Sequence, residues 1–218
     1  MKDCFSLLKT KNSTILLIFD KTNYNNSPSM IENIQFEIAT LNDIDGVLAL
    51  QELYLISNLS EEEKSGGFVT TPFTIAQLTS VIECHHLFVA KDNNKIIAYI
   101  FAGNWDFFSQ WPIFKYMISL LPDLQFLNFD CNTKNSFQYG PISIHKDYRG
   151  KGLIIPFFEF MRIHMKNKYP VALTFINKTN IPSRKAHTEK LKWTVIADFK
   201  FNNNDYYILA YNMNQKVS

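Results

Sequence analysis

One stretch limits what this chain can fold into more than any other. Residues 139–160 read YGPISIHKDYRGKGLIIPFFEF. A β-like run, Ile142-Ser143-Ile144, meets a polar break at His145-Lys146-Asp147. A basic turn follows, Arg149-Gly150-Lys151-Gly152, and an apolar helical pattern starts at Leu153 and carries Phe157, Phe158 and Met161. Glycines let the backbone expose its N–H groups, and a helix N-terminus adds partial positive charge, so strand, glycine turn and helix together make an anion cradle. Arg149 and Lys151 would add full charges beside it. RGKG alone is more often a solvated basic turn, and the spacing is neither GxxxxGK[ST] nor GxGxxG. What surrounds the turn has to decide.

Before it, residues 33–40 alternate as a strand with Ile34, Phe36 and Ile38 on one face. Asn42 or Asp43 is placed to cap a helix over 44–56. Residues 60–64 are an acidic candidate for a short helix, broken by Ser65-Gly66-Gly67, and residues 74–83 form another helical run. Strands at 86–90 and 95–102 flank the turn signal Asp92-Asn93-Asn94 and predict a hairpin.

After the turn come a helix to about Lys168 and a compact strand, Val171 to Ile176. A helix opened by Ile181-Pro182 and a terminal hairpin over 193–201 and 206–212 complete the order. Only the βαβ unit over 136–176 demands parallel neighbours. The fold class is therefore α/β, mixed and α+β-like, with helices on both faces of a mostly antiparallel sheet of about seven strands.

Residues 104–135 interrupt this order with Trp105, Phe107, Phe108, Trp111, Phe114, Tyr116, Phe126 and Phe129. Most of these rings read as satellite core under a long connection, with one or two left to face a cleft. At the other end, 1–30 reads as an appendage to a domain over 31–218. Its apolar run, Thr14 to Phe19, is too short for a signal-peptide core or a membrane span, and residues 23–29 have linker composition.

Composition excludes more than it assigns. A net charge of +2 over 218 residues gives no electrostatic case for nucleic acid or membrane partners. Three separated cysteines, Cys4, Cys84 and Cys131, form neither a disulfide framework nor a zinc motif. The five histidines show no HExxH, and adjacent His85 and His86 would point apart on a strand, so no metal is expected. A cytoplasmic protein, monomer or homodimer, fits these features.

Two segments carry a resemblance to a known family. IHKDYRGKGL resembles the phosphate loop Q/R-x-x-G-x-G/A of the GNAT superfamily of acyl-CoA-dependent N-acetyltransferases, with both glycines matched at Gly150 and Gly152. Asp147 stands at the loop's first position, and Ile154 where a small residue is common. NKTNIPSRKAHTEKLKW resembles the family's N-x-x-[AS]-x-x-x-Tyr helix and the Gly-aromatic pair after it. Asn180, Ser183 and His187 fall on that spacing, His187 in place of Tyr. Lys192 stands for the glycine, Trp193 for the aromatic, and one extra residue lies between.

The resemblance implies a GNAT-like fold with a splayed parallel strand pair, acetyl-CoA as acyl donor and a primary amine as acceptor. It implies that backbone groups along Ile142, Ser143 and Ile144 take the pantetheine arm as an added strand would. The pyrophosphate would lie on the N–H groups of Arg149, Gly150, Lys151, Gly152 and Leu153. Asn180 would hold the pantetheine or fix the loop, beside Ser183. His187 is the candidate general acid or thiol hydrogen-bond donor, or else a partly buried polar contact. The strand over 136–144 carries no Asp or Glu, so Asp106, Glu52, Glu83 and His145 are open candidates for a base. These departures also admit a catalytically weak acyl-CoA-binding or interaction module that kept the fold.

Overall fold

A computed structural model describes residues 33–217. The proposed appendage over 1–30 lies outside them. Strand β1 (Ile34–Ile38) leads to a 3-10 turn and helix α1 (Ile44–Tyr54). Asp43 organises this entry, although its side chain does not cap α1. Its carboxylate accepts the Thr40 N–H at 2.8 Å and the Thr40 hydroxyl at 3.0 Å, and Lys91 pairs with it at 2.8 Å. Helices α2 (Glu61–Lys64) and α3 (Ile75–Glu83) each start with reciprocal capping boxes, Ser60 with Glu63 and Thr74 with Gln77.

The hairpin of β2 (Leu87–Asp92) and β3 (Lys95–Gly103) turns on Asn93 and Asn94, both left-handed at φ 48° and 64°. Asparagine tolerates that conformation, and such turns match strand twist. The aromatic insertion then folds into α4 (Trp105–Phe108), α5 (Pro112–Leu120) and a two-rung hairpin, β4 (Gln125–Phe126) and β5 (Phe129–Asp130), which the sequence pattern does not announce. The remaining elements are β6 (Ser136–Ile144), α6 (Ile154–Met165), β7 (Val171–Asn177), α7 (Ile181–Lys185) and the pair β8 (Thr194–Phe201) and β9 (Asn204–Asn212).

Seven strands form one sheet in the order β1-β2-β3-β6-β7-β9-β8. All neighbours are antiparallel except β6 and β7. One face packs Phe137, Tyr139 and Trp193 against Phe157, Phe158 and Met161 of α6. The other packs Phe101, Val89 and Leu87 against α1 and α3. Trp105, Met117 and Leu121 of the insertion cover Leu173 and Ile208 on that second face, so most of its rings are core. Among the described residues no helix is long and apolar enough to cross a membrane.

Strands β6 and β7 pair only over Ser136–Val171, Phe137–Ala172 and Gln138–Leu173. Beyond Gln138 they part. Gly140, at φ 95°, bends β6 away from β7, and β6 stays with β3 as far as Ile144 while β7 stays with β9 as far as Asn177. The result is a V-shaped gap in the middle of the sheet.

Candidate active site

The gap opens into a cavity of about 90 Å³ that runs between the two faces of the sheet. Ile142, Asn180, Ser183 and His187 line it from the α6 face, four of the residues singled out by sequence. Gln138, Phe114, Phe175 and Tyr206 line it from the insertion face, and the segment Phe68–Thr71 crosses above it. None of these last residues carries a motif. The strand alternation after Ser136 was the one signal that could have placed Gln138 on this face.

The edge of β6 is available as the resemblance implies, but not along its whole length. The His145 N–H donates to Ile97 O at 2.8 Å, which sets the antiparallel alternation: Ser143 bonds toward β3, and Ile142 and Ile144 turn their backbone groups to the gap. Ser143 is therefore no cofactor contact; its side chain is buried beside Tyr99 on the α1 face. The Ile144 carbonyl also drops out, because Arg149 Nε donates to it at 2.7 Å.

Arg149 departs furthest from expectation. Its Nη1 donates to Gly66 O at 2.6 Å and its guanidinium lies 4.1 Å from the centre of the Tyr54 ring. Its own N–H donates to Lys146 O. A guanidinium held by two carbonyls and an aromatic face braces the loop instead of standing beside an anion. The cradle itself remains: Gly150 and Gly152 are left-handed at φ 73° and 84°, and the space where a Gly150 Cβ would project is open. Leu153 is buried and anchors the turn in the core. Lys151 is exposed at the rim. Pro156 removes one donor from the first turn of α6, so the N–H groups from Gly150 to Ile155 are the ones positioned for an anion.

Asn180 proves to be a loop clamp. Its Oδ1 accepts the Ser183 N–H at 3.2 Å and its Nδ2 donates to Phe68 O at 3.1 Å. Gly66 and Phe68 are thus tied to opposite arms of the V. Val69 bridges to Leu55, and Gln51 bonds both backbone groups of Phe73, at 2.8 Å and 3.2 Å. Residues 66–73 form a strap across the gap.

His187 is 3% exposed. One ring nitrogen, Nδ1, lies 2.7 Å from Ser183 O. A carbonyl can only accept, so Nδ1 carries the proton and Nε2 presents a lone pair. Burial lowers its pKa to about 4, partly offset by that hydrogen bond. Nε2 has no partner among the described residues. The neutral ring is therefore an acceptor at Nε2, which is buried; the donor role expected from spacing requires that it first take up a proton. Tyr139 and Trp193 pack against it edge-on, with centroids 5.5 Å and 5.8 Å away.

The other base candidates fall away. Asp106, Glu52 and Glu83 are exposed and none lines the cavity. His145 accepts the Asp147 N–H through Nδ1 and serves the turn. No group of His, Cys, Asp and Glu among the described residues is arranged to hold a metal.

No family model matches the chain, and no curated protein matches its sequence. Solved structures do match. A GNAT-family acetyltransferase of Streptococcus agalactiae superposes with a TM-score of 0.58 at 14% identity, over 83% of this chain and 96% of that one. The yncA protein of Salmonella typhimurium, solved with its cofactor acetyl-CoA, gives 0.55 at 13% identity over 83% and 94%. An N-acetyltransferase of Staphylococcus aureus gives 0.54 at 18% over 83% and 99%. With the splayed parallel pair, the glycine turn opening α6 and these near-complete superpositions, the chain has the fold of the GNAT acetyltransferases.

Proposed function

We propose that the protein is an N-acetyltransferase that moves an acetyl group from acetyl-CoA to a primary amine. The observation that carries this reading is the cavity lined by both the open edge of β6 and the ring of His187, with the glycine turn at the same end of the sheet. The residues present suit the donor. Ile142 offers a strand edge for amide groups, and the N–H groups from Gly150 onward offer a seat for the pyrophosphate.

Acetyl-CoA supplies a thioester whose C–S bond breaks as the N–C bond of the amide forms, one proton passing from nitrogen to sulfur. In this reading His187 Nε2 takes that proton and returns it. The Nδ1–H bond to Ser183 O holds the tautomer and steadies the imidazolium while it lasts. With its ordinary pKa lowered to about 4, His187 holds a proton only briefly and releases it readily to a thiolate. One neutral histidine thereby serves as base and then acid, which accounts for a cofactor strand without a carboxylate. The strap and the insertion contribute walls to the cavity, and holding both reactants together supplies much of the rate.

Thiol release from acetyl-CoA, followed with and without amine, tests this. The protein should release thiol only when amine is present. His187→Ala should lower kcat by roughly 10²–10⁴-fold while leaving the Kd for acetyl-CoA within about twofold. Acetyl-CoA binding without amine-dependent release would favour the module reading; unchanged kcat in His187→Ala would remove the shuttle.

A further inference from the structure

The cavity also has something to say about the amine. Gln138 follows Ser136 on the insertion face of β6; Ser136 accepts Trp105 Nε1 there at 3.0 Å. Gln138 is 2% exposed. Its Nε2 donates to the Tyr139 carbonyl at 2.6 Å, which identifies that atom as nitrogen and leaves Oε1 as the acceptor. Oε1 is buried and has no partner among the described residues. An unpaired buried acceptor is costly unless something supplies a donor.

His187 Nε2 is a second such acceptor on the same cavity, reached from the other face. The cavity thus carries two unpaired acceptors, beside a Tyr139 hydroxyl that is likewise buried without a partner among the described residues. The rings of Phe114, Phe175 and Tyr206 line the cavity together with the uncharged polar side chains of Thr174 and Asn177, and no residue lining it is Asp, Glu, Lys or Arg. An ammonium or carboxylate carried along with the reacting amine would be desolvated there without a counter-ion, a strongly unfavourable arrangement. An apolar group would instead gain contact with the rings.

We propose that the acceptor is a primary amine borne on an uncharged aromatic or aliphatic group, its nitrogen held by Gln138 Oε1 and facing His187 Nε2. The assignment rests on the transferase reading. It makes Gln138 a substrate-binding residue and His187 the group that receives the proton as the N–C bond forms and the C–S bond breaks. The amine reacts as the neutral base, because an ammonium has no lone pair with which to form the N–C bond.

The test compares hexylamine and phenethylamine with 1,6-diaminohexane and spermidine, by thiol release at saturating acetyl-CoA. The unprotonated concentration of each amine is used. The uncharged-tail amines should show kcat/KM at least tenfold higher. Gln138→Leu should raise their KM at least tenfold with the Kd for acetyl-CoA unchanged by calorimetry. Gln138→Glu should narrow the gap in favour of the diamines. Equal or better transfer to spermidine or diaminohexane, transfer to none of the four, or an unchanged amine KM in Gln138→Leu overturns the assignment. If acetyl-CoA binds and diamines are the better acceptors, only the acceptor class is wrong. If acetyl-CoA does not bind, the transferase reading falls as well. The wild-type comparison stands whether or not the variants fold.

Discussion

Arg149 and His187 show how one residue's surroundings can redirect the role its type suggests. Arg149 sits in the glycine turn before α6, yet its guanidinium bonds Ile144 O and Gly66 O and covers Tyr54. Its work is to tie the strap to the loop. Arg149→Met keeps the stem and removes the bonds, so it should expose residues 66–71 to protease and speed their amide exchange. Each lost charge-assisted bond contributes about 1.5–3 kcal/mol. Acetyl-CoA affinity should change less than threefold; a loss of tenfold or more would return Arg149 to the phosphate site. The spacing of His187 to Asn180 and Ser183 foretold that the three would meet, and all three line the cavity. Its tautomer was not, because that depends on which helix carbonyl lies within reach of Nδ1, a matter of local helix geometry that composition cannot state.

The helix carrying His187 explains two departures in the sequence. Residues Ile181–Lys185 are α-helical, then the chain widens into a π turn over Ala186–Lys190, closed by the Leu191 N–H on Ala186 O. A π turn absorbs one inserted residue without moving what precedes it. The extra residue between His187 and Trp193 is accommodated there, and Asn180, Ser183 and His187 keep their register. Lys192 then occupies a left-handed position at φ 61°, where the resembled pattern has glycine. That conformation costs a non-glycine residue roughly 1–2 kcal/mol, less the backbone entropy glycine adds to the unfolded chain. Lys192→Gly should therefore raise stability by about 0.5–1 kcal/mol in urea denaturation, and Lys192→Val should lower it. A destabilised glycine variant would mean the lysine side chain makes a contact worth more than the strain. At this scale most was readable in advance: hairpins, capped helices and the βαβ unit all follow from period and turn chemistry. The hairpin Gln125–Phe126 with Phe129–Asp130 and the strap were not. Two-rung pairing has no period, and the strap is held by side chains distant in sequence, Gln51, Arg149 and Asn180.

For the whole molecule, two buried histidines make stability depend on pH. His187 and His86 both have pKa values lowered by burial to about 4, against an ordinary 6.5. Below pH 6.5 the unfolded chain binds protons at these sites that the folded one refuses. Stability is thus fully present above about pH 7 and is lost as pH falls through 6.5 toward 4, by on the order of 2 kcal/mol per site at pH 5. Denaturation midpoints at pH 7.5 and 5 measure it. His86→Gln should remove about half of the difference, and pH-independent midpoints would show that one or both rings gain water in solution. The larger claim is that the parted strands and the glycine turn together form an acetyl-CoA site. The order of elements foretold the parted strands and the glycine turn, while the lining of the gap depended on how β6 bends at Gly140 and where residues 66–73 cross. Calorimetric titration with acetyl-CoA, on the wild type, Gly150→Glu and Gly150→Asn, tests it most directly. Asparagine tolerates the left-handed backbone and controls for the fold, whereas glutamate sets a carboxylate in the open space beside the cradle. The account predicts one site in the wild type and in Gly150→Asn, and binding at least tenfold weaker, about 1.4 kcal/mol, in Gly150→Glu. Absence of binding in the wild type, or equal affinity in all three, would contradict it.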